Sequence, residues 1–201
     1  SSQVRIEGEK ERPCQLINAT LSTIADEGLS RTTLAKVAAR ARLSPGIVNF
    51  YFRSKDVLLI ETLRYLAEGF EAALKNTLAL HRDDPSRALR AVVSLKFDER
   101  YTAAEHLCAW NAFLSESLAR IEYREICTHS QRLYFESLKS LCAELVETGH
   151  YAHVCIDGVA RAIDGMVESL LKDLLLQDDE FDREAAKTTC MSFLASVFSH
   201  H

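Results

Sequence analysis

Residues 32–59 read TTLAKVAARARLSPGIVNFYFRSKDVLL, and the folding of this stretch decides the reading of everything around it. Thr33 stands before LAKVAARA, a run of small residues from about 34 to 41, where a hydroxyl can accept one of the free first-turn N–H groups of a helix. Arg42-Leu43 leaves room only for a tight link. Ser44 is then placed as the N-cap of a further helix, with Pro45 in its first turn, where the missing N–H has no partner to lose. That helix ends near Phe52. It has only two turns, yet five of the six residues Ile47 to Phe52 are apolar and cations follow closely. So short a helix can dock Ile47, Val48 and Phe52 inward while Ser44, Pro45, Gly46, Asn49 and Phe50 are left outward. Two short helices joined by a three-residue link form the helix-turn-helix layout, whose second helix enters the major groove of DNA.

Working outward, Ile17, Leu21 and Ile24 fall at helical spacing, so a first helix is expected from about 11 to Glu27, stopped by Gly28. Ser54 caps a fourth, with Asp56 in its acidic first turn and Leu59, Leu63, Leu66, Phe70 and Leu74 along one stripe to about residue 80. HRDDPS (81–86) is a loop. Further helices are expected from there to about Asp98, over 102–118, from Tyr123 to Gly149, and over 152–176 and 182–198, the last two separated by QDDEFD. No strand alternation, repeat or low-complexity tract interrupts them. The fold class expected is all-α: an N-terminal three-helix domain over 1–54, joined by the fourth helix to a larger helical-bundle ligand and dimerisation domain over 55–201.

The bulk properties agree. Hydrophobic residues make up 47% of 201, and 7 Gly with 3 Pro leave long helices unbroken. No run approaches the ~18 apolar residues of a membrane span. The start of the chain lacks the apolar core of a signal peptide and opens without Met, as an incomplete or processed chain would; His200-His201 reads as a tag remnant. Six scattered cysteines contain no CxxC pair and read as small buried thiols in a reducing cytoplasm. Net charge is −5, but it is divided: residues 1–56 carry +3, the remainder −8, and Arg31 to Lys55 holds six basic residues and no acidic one. A basic patch on an acidic body fits contact with a polyanion at one end. Glycine-rich phosphate loops, GxSxG and HExxH are absent and the histidines are scattered, so no enzyme, metal or cofactor is expected.

The quoted stretch resembles the DNA-binding segment of the tetracycline-repressor (TetR) family over roughly residues 11–63: a Thr, an Ala-rich short helix, a turn, Ser-x-Gly, an aromatic pair and a Lys opening the fourth helix. The resemblance implies that Thr33, Tyr51 and Lys55 hold phosphates, while Ser44, Pro45, Gly46 and Asn49 face the groove, with Asn49 reading a base through its amide. Tyr51 also fits, as the lesser reading, a core aromatic with its hydroxyl at the surface. Two positions depart from the pattern. Arg42 stands where the family usually has Gly, and a side chain there costs on the order of 1 kcal/mol if φ must be positive, with a phosphate contact as compensation. Phe50 stands where His is common, and can meet a thymine methyl or a sugar but cannot hydrogen-bond.

A looser resemblance covers 86–198. KFDERYTAAEHLCAWNAFLSES (96–117) and AIDGMVESL (162–170) look like the choline-responsive BetI-type repressors. This implies a small-molecule effector, choline or a related amine. Ring faces and carboxylates hold such a cation, and Phe97, Trp110, Phe113, Glu116, Tyr134, Asp164 and Glu168 are the candidates, although aromatics at this spacing also serve an ordinary core. The last two helices are apolar on more than one side. Val159, Ile163, Val167, Leu170, Leu171, Leu174, Phe193, Leu194, Val197 and Phe198 are therefore expected to pair two copies in a four-helix bundle. The expectation is a cytoplasmic, homodimeric repressor on a palindromic double-stranded DNA operator, released by its effector. Two alternatives stay open: a TetR-type regulator of efflux or other metabolism with a hydrophobic effector, and a helical interaction module that does not bind DNA.

Overall fold

The computed structural model describes residues 2–177 and 180–199, with side chains described from Glu11 onward. Asp178 and Asp179 of the acidic link, and the His200-His201 pair, lie outside the described residues. The regular elements are helices: α1 (Ser2–Glu27), α2 (Leu34–Ala41), α3 (Pro45–Tyr51), α4 (Lys55–Leu80), α5 (Pro85–Leu95), α6 (Glu99–Thr102), α7 (Ala104–Glu116), α8 (Ile121–Gly149), α9 (Ile156–Leu176) and α10 (Arg183–Val197). Among the described residues no helix is long and apolar enough to cross a membrane. The all-α expectation is met.

Three boundaries differ from expectation. α1 starts at residue 2 rather than near 11 and runs past Pro13; residues 2–12 carry no apolar stripe to read, but their Glu, Lys, Arg and Gln are good helix formers. The helix expected to reach Asp98 stops at Leu95. Asp98 accepts the Arg100 N–H at 3.0 Å and so caps the separate, four-residue α6. α9 begins at Ile156 rather than near 152, because Cys155 is its N-cap, its sulfur 3.4 Å from the Gly158 N–H. Two stops follow the reading. Gly28 takes φ +85° and donates its N–H to Ile24 at 2.9 Å. α8 ends at Gly149, where the left-handed residue is His150 at φ +56° and Tyr151 donates back to Val146 at 3.1 Å.

Packing divides the chain into two compact units, Ser1–Ala67 with Glu105–Cys127, and Glu68–Ala104 with Thr128–His201. This differs from the expected division at 54/55. The core of the first unit holds Leu16, Leu21 and Ile24 of α1, Val37 and Ala38 of α2, Val48 of α3, and Leu58, Leu59 and Leu63 of α4. Ala109 and Phe113 of α7 and Tyr123 and Cys127 of α8 complete it. The helix-turn-helix is thus backed by helices that come more than fifty residues later in the chain. Buried hydroxyls need no outside partner: Thr20, Thr23 and Thr62 each donate to the carbonyl four residues earlier, at 2.7–2.8 Å.

In the second unit the buried side chains include Leu89, Val92 and Val93 of α5, Leu138 and Leu145 of α8, Ile163, Val167 and Leu171 of α9, and Cys190 and Leu194 of α10. α10 packs on α5 and α9. Arg183, at the first turn of α10, donates to the Phe97 carbonyl at 3.2 Å and the Thr102 carbonyl at 2.9 Å, which holds the chain around α6 against α10.

Candidate functional site

In the first unit α2 and α3 meet at a turn that α1 supports. The Gln15 amide donates to the Ala41 carbonyl at 3.0 Å, satisfying one of the free carbonyls at the end of α2. Arg42 takes φ 56° and ψ 40°, the left-handed conformation. Its N–H reaches the Ala39 carbonyl at 3.1 Å and the Leu43 N–H reaches Ala38 at 3.0 Å, the two bonds of a Schellman cap. The glycine-like backbone is therefore real and is occupied by arginine. Thr33 caps α2 by accepting the Lys36 N–H at 3.2 Å, which leaves its own O–H proton free to be donated. Ser44 precedes α3 in an extended conformation, but its hydroxyl makes no capping bond.

α3 divides by face. Val48 is completely buried, Phe52 is buried, and Ile47 is half-buried. Ser44, Pro45, Gly46, Asn49 and Phe50 are exposed, Phe50 by 79%. A Cβ on Gly46 would meet only Ser44 Oγ, at 3.9 Å, so the absence of a side chain there serves the outer surface and not the packing. Tyr51 is half-buried, its ring edge-on to Phe50 at 5.1 Å, in a position intermediate between the core and surface readings. Lys55 opens α4 and donates to the Ser30 carbonyl at 3.2 Å.

The basic patch is narrower than the residue count implied. Lys36 pairs with Glu27 and Arg40 with Asp26, both acids in the last turn of α1. Among the described residues Arg31, Arg42 and Arg53 have no carboxylate partner. Arg31 and Arg53 were missed by motif reading. In the sequence each has an acid at helical spacing, Glu27 four residues before Arg31 and Asp56 three residues after Arg53, and only the structure shows those acids paired with Lys36 and Arg120 instead.

The seven candidate effector residues are divided between the two units. Trp110, Phe113 and Glu116 belong to the first unit: Phe113 is completely buried with its ring edge-on to Tyr123 at 5.0 Å, Trp110 packs against the same core, and Glu116 is exposed. Phe97 is buried in the second unit. Tyr134, Asp164 and Glu168 do come together, lining an open cleft of about 430 Å³ in the second unit with Lys96, Arg132, Phe135 and Arg161. Arg161 lies over the Phe135 ring at 3.9 Å and 3.7 Å from the Asp164 carboxylate. Burial first, and then the neighbouring Glu168, raise the Asp164 pKa above the ordinary carboxylate value. Tyr134 is fully buried, its hydroxyl has no hydrogen-bond partner among the described residues, and burial followed by the fields of Asp164 and Glu168 raises its pKa. Lys96 was missed because a lysine's reach across helices leaves no periodic trace in sequence.

Of the ten residues expected at a dimer interface, Ile163, Val167, Leu171, Leu174, Leu194 and Phe198 are buried within their own protomer. The premise that one core could not take them all does not hold for these six. Val159, Leu170, Phe193 and Val197 stay half-buried. Beside them α9 and α10 expose small residues: Ala162, Gly165 and Ser169, then Ser192, Ala195 and Ser196.

Known proteins match this chain in both parts. The model described as bacterial regulatory proteins, tetR family, matches residues 16–62, and the one described as BetI-type transcriptional repressor, C-terminal, matches residues 85–199. The HTH-type transcriptional regulator BetI of Paraburkholderia phymatum is 37% identical over 176 residues, covering 87% of each chain. Among solved structures, a transcriptional regulator from Pseudomonas aeruginosa PAO1 superposes with a TM-score of 0.79 at 20% identity, over 96% of this chain and 92% of that one. A transcriptional regulator from Saccharomonospora viridis in complex with choline gives 0.73 at 16% identity, over 92% and 96%. At those identities the two structures speak for the fold.

Proposed function

The chain belongs to the tetracycline-repressor family, in its BetI-type branch, and is a ligand-responsive DNA-binding repressor and not an enzyme; from that premise we propose that it grips a palindromic operator as a homodimer and releases it when a small cationic amine enters the second unit. The observation that carries the DNA half is the division of α3, with Val48 and Phe52 locked in the core and the Ser44–Asn49 edge in the open. Asn49 reads a base through its amide, worth about 1–3 kcal/mol of discrimination, and Phe50 supplies an apolar contact. Thr33 and Tyr51 donate hydroxyl protons to phosphates, and Arg42, Arg53 and Lys55 supply charge along the same backbone.

Dimerisation through α9 and α10 suits their exposed small residues, which let helices approach closely while Leu170, Phe193 and Val197 interdigitate. Two heads then meet half-sites one helical turn of DNA apart, or a multiple of it. For the effector half, the cleft of Tyr134, Asp164 and Glu168 offers a ring face and two carboxylates, the chemistry that holds an ammonium. The complex of the Saccharomonospora regulator with choline supports the same ligand class. The ligand acts by favouring a state of the dimer that no longer spans consecutive grooves, and it must favour that state by a few kcal/mol to clear the operator. Such a regulator works where the chromosome is, in the cytoplasm.

A gel shift with the DNA upstream of its own gene tests the reading. Binding should fall steeply with salt, and Asn49→Ala should lower affinity for that DNA at least fivefold while leaving the salt slope unchanged. Choline should release the complex. Binding that no amine alters would leave the repressor and remove the cationic effector. A monomer in light scattering at micromolar concentration would remove the dimer.

A further inference from the structure

The cleft that Tyr134, Asp164 and Glu168 line already contains a cation, and the cation belongs to the chain. Lys96 follows directly on α5, and its Nζ lies 4.4 Å from the centre of the Tyr134 ring and 4.8 Å from that of Phe70. The two rings stand edge to face at 5.9 Å, so together they form two walls of a cage. Glu168 closes a third side, its Oε1 at 3.5 Å from Nζ, and Asp164 lies one helical turn before it on the same face of α9. All of these residues belong to the second unit. The sequence presents Lys96 only as one polar residue in AVVSLKFD, with no hint that three other helices supply its surroundings.

The fit between this cage and this tenant is poor in one respect. A primary ammonium has three N–H donors. Among the described residues Lys96 Nζ makes no hydrogen bond of normal length: the rings offer π faces, and the Glu168 oxygen is too distant to count as more than an ion pair. A site that provides charge and ring faces but no close acceptor costs a primary ammonium its hydrogen bonds to water. It costs a tetraalkylammonium nothing of that kind, since that ion has no N–H to satisfy. The Tyr134 hydroxyl, buried and without a partner, is a second unsatisfied group at the same place. The lysine is also free to leave: its side chain is 19% exposed at the edge of an open cleft, and a rotation of its flexible stem carries the charge into water.

Resting on the reading of this cleft as the effector site, we propose that Lys96 is its resident cation and that an alkylammonium ligand lacking N–H groups binds by expelling it. The exchange is one cation for another, so Asp164 and Glu168 keep a positive partner throughout. The lysine keeps the cage closed and charge-balanced when no effector is present. It also sets a threshold, because the apparent affinity is the intrinsic one reduced by the fraction of molecules in which Lys96 is out. Primary amines gain least, since they meet the same lack of acceptors that makes the lysine easy to displace.

The test follows the Lys96 side chain in the wild-type protein by NMR while tetramethylammonium chloride is added, with ammonium chloride at equal ionic strength as the control. In the free protein the Lys96 Hδ and Hε signals should be shifted upfield by the two rings, and saturation with tetramethylammonium should return them toward solvent values. Calorimetry should show Lys96→Met binding tetramethylammonium about tenfold more tightly than wild type, equivalent to about 1.4 kcal/mol. Removal of a charge would tighten binding even without tenancy, so the wild-type NMR signal decides, and it decides also if Lys96→Met does not fold. Lys96 signals that stay shifted at saturation, that carry no shift in the free protein, or a variant that binds no more tightly overturn the tenancy while the cationic effector stands. Failure of tetramethylammonium to bind either protein overturns both.

Discussion

Arg42 offers a way to separate what a residue does for the fold from what it does for DNA. It holds φ 56° and ψ 40°, and the two Schellman bonds that require this conformation use only backbone atoms. An L-residue in the left-handed region costs about 1–2 kcal/mol, while glycine's extra freedom in the unfolded chain returns about 0.4–1 kcal/mol of that advantage. Arg42→Gly should therefore be more stable than Arg42→Ala by about 0.5–1 kcal/mol, a difference of roughly 2 °C in Tm for a chain of this size. The alanine variant should match wild type within about 0.5 kcal/mol, because the guanidinium has no described partner to lose. On DNA the order changes. Both variants lose the same cation, so both should bind equally weakly, and the slope of log K against log salt should drop by about 0.9 per head. Urea denaturation of the three proteins and gel shifts at four salt concentrations give the two answers independently. Equal stability of the glycine and alanine variants would refute the left-handed backbone, and an undiminished salt slope would refute the phosphate contact.

Other outcomes can be checked with the same protein. Phe52→Ala should cost about 3 kcal/mol and abolish operator binding by loosening α3, since the buried Phe52 anchors its C-terminal end; thermal melts measure the loss. Because the folded state raises the Asp164 pKa above its ordinary 3.8, it binds that proton more tightly than the unfolded chain does. The stability associated with the neutral form is thus present below 3.8 and is lost as pH climbs through the raised folded value. Asp164→Asn should then melt higher than wild type at pH 7 and together with it at pH 3, and a lower melt at pH 7 would show the carboxylate to be well paired. Burial pushes the thiols of Cys127, Cys142 and Cys190 up to about 11, so a thiol reagent at pH 8 should modify the exposed Cys14 and Cys155 first and reach those three only on unfolding.

The exposed edge of α3 was legible because it depends on local rules. Val48 and Phe52 are four residues apart, and a helix of two turns with one buried side must expose Pro45, Gly46 and Asn49. Gly28 and Thr33 were legible for the same reason, since caps are made by residues within four positions of the groups they satisfy. The surroundings of the candidate effector residues were legible only in part. Trp110 and Phe113 follow the aromatic pattern expected of a pocket, yet Phe113 fills the core of the first unit against Tyr123. An apolar stripe states that something covers it, not what does.

The order of the longer helices, the left-handed stop at Gly28, the polar edge of α3 and the family of the chain were determined by the sequence itself, through hydrogen bonds and periodicities that span a few residues. Tertiary structure alone decided that α7 and the start of α8 back the helix-turn-helix, that six of the expected interface residues belong to their own core, and that Lys96 sits between two rings and a carboxylate drawn from three other helices. Those outcomes rest on which apolar faces meet across long stretches of chain. Burial is non-directional, and many pairings of similar stripes satisfy it until shape and charge select one.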